Sequence, residues 1–339
     1  MSEIRQDPIT HRRVIVVPGR SARPNEHAVS APSAPTSGEC PFCEGNESRT
    51  PPEVAVVGPP GRRPNAGGWQ VRVIPNRFPT VTSEAAEGVP APGSELLERA
   101  PAFGHHEVLI ESPTHSPLLP YLPREQVRRV LRLGRDRVRD LGGRAGVGTV
   151  TFFENAGPES GGSLWHPHSQ LVATAGSSPS LGEEMAGIER LHARYPGSCA
   201  FEAVRDEETR DGSRVVFESD AFLGFAPFAS AYPYEVRVVP RRHSASMGEA
   251  NDGEIEELAE RLPALLRALM SVVPGASYNY VVRAPSDSAA GRERYHWHLD
   301  LYPRLVRPDG FDLGSGFHVN TVLPEEAARL LRTELGTKL

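Results

Sequence analysis

The sequence of 339 residues is short of cysteine, of aromatic residues and of long apolar runs. Its three cysteines, Cys40, Cys43 and Cys199, are too few for a disulfide framework. No apolar stretch approaches the ~20 residues needed to span a bilayer, and Met1-Ser2-Glu3-Ile4-Arg5 lacks a signal peptide's apolar segment. Both absences predict a cytoplasmic protein with no membrane partner. No run of Lys or Arg forms a basic face, and the net charge of −6 argues against nucleic acid as a partner. A few local arginines can still hold a small anion. The remaining composition, 38% hydrophobic and 24% charged, is that of an ordinary soluble protein. The chain is long enough for two domains of about 150 residues each.

The most informative stretch is Ser163-Leu164-Trp165-His166-Pro167-His168-Ser169-Gln170. On an extended strand, His166, His168 and Gln170 fall on one side. Neutral imidazole is a nucleophile near pH 7, and a carboxamide NH2 donates to phosphoryl oxygen, so the triplet suits covalent transfer of a phosphorus group. Gly161, Gly162 and Ser163 just before it can offer backbone N–H groups and a hydroxyl to developing negative charge. Taken alone, the triplet also fits a histidine pair satisfied within a strand, or half of a metal site.

Along the chain, strands are expected at Arg13–Val17, Trp69–Phe78, His106–Glu111 and Val147–Glu154, with an amphipathic helix over 123–141. Residues 25–38 and 83–101 read as loops rich in small residues and proline. After a Gly/Ser/Pro linker from Gly176 to Gly182, helices are expected at about 183–193 and at 253–272. The strands of this second part are expected at 215–218, 222–225, 234–239, 278–283 and 296–302. The order then repeats numerically. Glu107 precedes His115 by eight positions and Glu235 precedes His243 by eight; His166 follows His115 by 51 positions and His296 follows His243 by 53. Each second histidine opens a His-x-His, His166-Pro167-His168 and His296-Trp297-His298. This points to two copies of one strand–helix–strand unit in tandem.

The copies differ. Cys40-Pro41-Phe42-Cys43 can join His115 and His166 as a closed Cys2His2 zinc site, leaving His168 free as nucleophile. Two buried thiols, or a redox pair, is the plainer alternative. In the second copy Cys199 has no nearby cysteine, and Asp300 stands where Gln170 stands in the first. Its charge would repel phosphate, so this copy reads as scaffold, substrate pocket or a lesser metal site.

The tandem arrangement, Cys-x-x-Cys, Phe153-Glu154-Asn155, Gly-Ser before His-Pro-His-x-Gln, and the late His-Trp-His-x-x-x-Tyr-Pro together resemble the galactose-1-phosphate uridylyltransferase family of the histidine-triad superfamily. The resemblance implies an α+β fold of two tandem histidine-triad (HIT-like) domains, antiparallel sheets with flanking helices. These would span 1–175, with the zinc and the nucleophile, and 176–339. It also implies a homodimer and a ping-pong reaction through a nucleotidyl-histidine. Position by position, His168 resembles the nucleophile and Gln170 the phosphate-binding amide. Ser163 and Asn155 resemble residues lining the phosphates, and Asn76 a nucleotide contact. Arg20 and Arg23 resemble basic residues of the N-terminal active-site loop, and Cys40, Cys43, His115 and His166 the zinc ligands. The implied partners are a nucleotide sugar and either a sugar 1-phosphate or inorganic phosphate.

Two departures bear on substrate. The family's second metal site uses a glutamate and three histidines; here Glu184 and His298 match two, another falls on Asp300 and the last near Val282, so this site is expected to be absent or altered. The hexose-contacting Lys and Tyr are replaced by residues around Gly310 and Ser315. In these features the chain resembles the branch that includes ADP-glucose phosphorylase, where phosphate accepts the nucleotide. A UDP-hexose:hexose-1-phosphate uridylyltransferase is the main expectation and an ADP-sugar phosphorylase its alternative. A hydrolase using water as acceptor and a nucleotide-binding regulatory protein are the readings from other classes.

Overall fold

Apolar residues at helical spacing on two segments, and alternating ones on the strands between, organise the fold. In the computed structural model, which describes residues 2–19, 40–84, 97, 100–115, 118–197 and 199–336, the chain begins with β1 (Glu3–Gln6), β2 (Arg13–Val16), β3 (Ala55–Val57), β4 (Val71–Pro75) and β5 (Gly104–Ile110). Next come α1 (Arg124–Gly142), β6 (Thr149–Ala156), β7 (His168–Thr174), α2 (Pro179–Arg194) and α3 (Ala200–Asp211). Then follow β8 (Val215–Glu218), β9 (Phe222–Phe225), β10 (Val236–Pro240), α4 (Asp252–Val272), β11 (Tyr278–Pro285) and β12 (Leu299–Pro303). The chain ends with α5 (Gly310–Ser315), β13 (His318–Asn320) and α6 (Pro324–Leu335). The expected strands and helices are present with ends shifted by a few residues, the largest shift being at the start of α2. Arg20, Arg23 and the loop expected at 25–38 lie outside the described residues, as does most of the loop expected at 83–101.

Ten strands form one antiparallel sheet in the order β3-β4-β5-β7-β6-β11-β12-β10-β9-β8. Read from either edge inward, the two halves have the same order of strands, so the repeat in the sequence is also a repeat of topology. The halves join where β6 and β11 pair over their whole lengths, from Thr149 opposite Pro285 to Ala156 opposite Tyr278. A second sheet, β1-β2-β13, ties the N-terminal hairpin to the end of the chain, with β13 parallel to β2. Arg5 reinforces this by donating to Glu325 (2.8 Å) and to the Phe228 carbonyl (3.2 Å).

One face of the large sheet packs against α1 and α4. Val127, Val130, Leu131, Val138 and Leu141 of α1 join Ile255, Leu258, Leu262, Leu265, Leu266 and Leu269 of α4 in one core. Leu171 and Ala173 of β7, Phe152 of β6 and Tyr280 of β11 enter this core from the sheet. Because side chains alternate along a strand, His168 and Gln170 of β7 must point to the opposite face. The helices meet the sheet closely. A Cβ on Gly134 of α1 would lie 2.9 Å from the Phe152 ring, whereas one on Gly142 would meet nothing nearer than 4.0 Å. Helix α4 is held at its start by a reciprocal capping pair, Asn251 with Glu254.

The contrast between these glycines is testable. Gly134→Val should lower stability by about 1–3 kcal/mol through overpacking, while Gly142→Ala should cost nothing. Denaturant unfolding of both variants checks this, and equal stability of the two would contradict the close approach described.

Candidate active site and metal centres

His168 opens β7 on the face away from the helices. Its Nδ1 lies 2.7 Å from the His166 carbonyl. A carbonyl only accepts, so Nδ1 carries the hydrogen and the Nε2 lone pair is left for attack. Burial lowers the pKa of the imidazole and keeps it neutral. The ring is steadied by the edge of Phe42, with centroids 5.3 Å apart.

Beside it is a cavity of ≈ 130 Å³ lined by Asn155, Gly162, Ser163, His166 and His168 among others. Three of the expected phosphate-side residues, Asn155, Gly162 and Ser163, thus meet His168 in one space. Asn155 is held by the Asn279 amide, which donates to its Oδ1 (2.7 Å). Gly162 is required by close approach, since a Cβ there would lie 2.8 Å from the Asn155 carbonyl. Gly161 takes a left-handed turn (φ +86°) and is exposed; it shapes the loop and does not line the cavity. Gln170 lies two residues along β7, with Oε1 2.9 Å from His106 Nε2. His106 also lies beside Asn76, whose side-chain nitrogen is 3.1 Å from the same ring atom. The sequence reading named Asn76 and Gln170 but not the histidine between them.

The four expected metal ligands converge. Cys40, Cys43, His115 and His166 each place a ligand atom within 4.8 Å of the others. His166 Nδ1 lies 3.6 Å from both sulfurs, and His115 Nδ1 lies 3.8 Å from Cys43. A tetrahedral zinc with bonds of about 2.3 Å to sulfur and about 2.0 Å to nitrogen sets such atoms about 3.6 Å apart. The donor set and spacing fit that ion. His166 Nε2–H donates to the Ser112 carbonyl (2.7 Å), which leaves Nδ1 as the ligand atom. Burial, then the neighbouring Cys40 sulfur, push the Cys43 thiol up to about 11. A thiol so placed ionises readily only beside a cation.

The second copy repeats this geometry with different chemistry. His298 Nδ1 lies 3.1 Å from the His296 carbonyl, as His168 does from His166. Here α2 and α3 cover the open face of the sheet. Phe201 of α3 packs on His298 with centroids 4.5 Å apart, and Glu184 of α2 accepts from Tyr295 (2.9 Å). Of the expected second site, Glu184, His298 and Asp300 do come together, but a guanidinium occupies their midst. Arg283 donates to Glu184 (2.7 Å) and to Asp300 (2.8 Å), and Arg237 grips Asp300 through two nitrogens (2.7 and 3.1 Å). Although burial works the other way, Arg237, His298 and Arg283 hold the Asp300 carboxyl well below its usual range. Val282 itself points into the core. The group is neutralised by arginine and does not need a metal ion.

A different set in this copy matches the first metal cluster. Cys199, Glu202, His243 and His296 place ligand atoms within 4.8 Å of one another. Cys199 Sγ is 3.6 Å from His296 Nδ1, and Glu202 is 3.8 Å from His243 Nδ1. Cys199-x-x-Glu202 has the spacing of Cys40-x-x-Cys43 with a carboxylate for the second thiol. That spacing was the available signal, and a search for a second cysteine misses it.

Residues 1–176 match the family described as galactose-1-phosphate uridyl transferase, N-terminal domain, and residues 188–332 match the corresponding C-terminal domain. The chain is 30% identical over 334 residues to the ADP-glucose phosphorylase of Arabidopsis thaliana, covering 97% of this chain and 92% of that protein. It is 28% identical over 346 residues to the galactose-1-phosphate uridylyltransferase of Thermotoga maritima, covering 98% of each. The crystal structure of the Arabidopsis ADP-glucose phosphorylase with bound ADP-glucose superposes with a TM-score of 0.82 at 28% identity, over 100% of both chains. With both domains matched, the chain belongs to the galactose-1-phosphate uridylyltransferase family and is a nucleotidyltransferase.

Proposed function

We propose that the enzyme moves a nucleoside monophosphate from a nucleoside diphosphate sugar to a phosphate acceptor, with His168 as the covalent carrier. The observation that carries this reading is the tautomer of His168, whose Nε2 lone pair is free beside a cavity lined by Ser163, Gly162 and Asn155. Nε2 attacks the α-phosphorus, and the bond to the bridging oxygen breaks, so sugar 1-phosphate leaves with that electron pair. The substituted ring is then a cation, and the His166 carbonyl facing Nδ1–H stabilises it. An oxygen of the acceptor phosphate attacks next, the P–N bond breaks, and the pair returns to Nε2. No proton has to move, because both phosphate groups are ionised at neutral pH. Gln170, Ser163 and Gly162 hold the phosphoryl oxygens, with Gly161 shaping the turn, and Asn76 contacts the nucleotide.

The donor set Cys40, Cys43, His115 and His166 would hold zinc, which supplies a fixed cation that locks His166 and hence the carbonyl behind His168. UDP-hexose with hexose 1-phosphate is the first reading of donor and acceptor. An ADP-sugar with inorganic phosphate is the second, favoured by Arg283 in place of a metal in the second copy and by the similarity to ADP-glucose phosphorylase. We further propose two units, 1–175 and 176–339, a homodimer and a cytoplasmic location. Among the described residues, no helix is long and apolar enough to cross a membrane.

Brief mixing with UDP-glucose or with ADP-glucose, without acceptor, should add one nucleoside monophosphate to His168 by intact-mass analysis, and the labelling donor names the base. His168→Ala should abolish both adduct and turnover while keeping the fold and metal content. Turnover by this variant at an appreciable fraction of the parent would refute the carrier role.

Metal content gives a second check. The parent should carry zinc by elemental analysis and Cys40→Ala about one equivalent less per chain, with transfer slowed by about 10- to 100-fold. Unchanged zinc in that variant would rule out the assigned ligands.

A further inference from the structure

A carboxamide that binds phosphoryl oxygens must present its NH2, yet its two ends are alike in shape and either can face a ligand. We propose that His106 is the positioning residue that decides which end Gln170 presents, by holding Oε1 so that the NH2 faces the transferring phosphoryl group. The proposal rests on the reading of His168 and Gln170 given above.

The hydrogen bonds determine the proton's place. The Thr80 backbone N–H donates to His106 Nδ1 (3.1 Å), so Nδ1 is an acceptor and the single hydrogen of the neutral ring sits on Nε2. Nε2 has two close neighbours, Gln170 Oε1 at 2.9 Å and Asn76 Nδ2 at 3.1 Å. Asn76 cannot accept there, because its Oδ1 is already turned toward the Phe78 N–H, which donates to it (2.8 Å). The hydrogen on Nε2 therefore goes to Gln170. Burial lowers the pKa of His106 and keeps the ring neutral, and a proton on Nδ1 would face the Thr80 N–H.

The frame around this bond is rigid. His106 lies on β5 opposite Val172, diagonal to Gln170, which is paired with Val108. The Asn76 N–H donates to the His106 carbonyl (2.8 Å), tying the loop after β4 to the same residue. Among the described residues Gln170's NH2 has no protein partner. With its oxygen occupied, that NH2 is the end left for a ligand.

A double-mutant cycle on formation of the nucleotidyl-enzyme tests the role. The rate is measured in a single turnover with whichever of UDP-glucose and ADP-glucose labels the parent. His106→Ala should slow labelling by about 10- to 100-fold, the range found when a group that orients a functional side chain is lost. In a Gln170→Ala background the same change should cost less than about twofold. His106→Gln, whose NH2 can still donate to Oε1, should recover part of the rate and guards against a folding defect in the alanine variant. Equal cost in both backgrounds, or no cost in the parent, overturns the role of His106. A parent that takes no label from either donor overturns the nucleotidyl-transfer reading instead.

Discussion

The carbonyl of His166 is the point on which the site depends. It accepts from His168 Nδ1, and this one bond fixes the tautomer, the ring orientation and the availability of Nε2. The carbonyl is itself fixed because the His166 side chain is tied on both sides, through Nε2 to Ser112 and through Nδ1 toward Cys40 and Cys43. The proposed nucleophile, His168, inherits its position from a metal-type cluster two residues away. Phe42, between the two cysteines, completes the link by packing directly on the His168 ring. A cluster that touches no substrate can thus preorganise the reacting atom, which lowers the reorganisation needed during transfer.

Duplication produced two such strands, and what covers the sheet separates their fates. In the first half the face bearing His168 opens on a cavity, while in the second α2 and α3 lie over the same face. Their Glu184 and Phe201 leave His298 only 1% exposed. Once covered, the group at the position of Gln170 cannot serve a phosphate. Asp300 there becomes part of a paired set with Arg237 and Arg283. Desolvated charges persist only when paired so completely. The second half contributes its β11 as a partner for β6, and so supports the strand that carries Asn155.

Much of this was legible in the sequence because it is local or periodic. The Cys-x-x-Cys pair and the near-equal histidine spacings marked Cys40, Cys43, His115 and His166, which the structure brings together, and the alternation marked His168 and Gln170 on one face of β7, although His166 lies before that strand begins. The helices α1 and α4 were legible from a 3.6-residue period sustained over several turns. By contrast α3 buries few large side chains, chiefly Phe201, and offered no comparable period, while α6 keeps a helical period at Pro324, Ala327, Ala328 and Leu331 but fills it mostly with small residues. His106, Glu202 and Arg283 were missed for another reason. Each acts through a residue 64, 41 or 99 positions away, Gln170, His243 and Glu184 respectively, and such pairings depend on strand register and helix placement, with only Glu202 also marked by a local spacing, that from Cys199. Arg283 shows the limit most clearly. It follows the valine at the expected ligand position, and only the pleat of β11 decides that the arginine, not the valine, faces the acidic group.

The inner side of β7 poses the opposite electrostatic problem. Ser169 points inward between His168 and Gln170 and donates to Glu111, while the Tyr280 hydroxyl lies 2.7 Å from its oxygen. Glu154, opposite Ser169 on β6, accepts from Tyr278 (3.3 Å). Ionised, these two carboxyls would set negative charge one sheet thickness behind the residues proposed to hold phosphates. Burial prevents it. It pushes Glu111 up to about 8, and burial together with the nearby Glu111 carries Glu154 well above the carboxylate range. Below pH 8 the layer is therefore held neutral, and its cost is conformational stability, since unfolded glutamates ionise near their ordinary value and shed the penalty. This contribution is destabilising from about pH 4.5 upward. The layer makes physical sense as a price accepted for function: a hydrogen-bonded, uncharged backing that holds Ser169, and with it the pitch of β7, without opposing the anion on the other face.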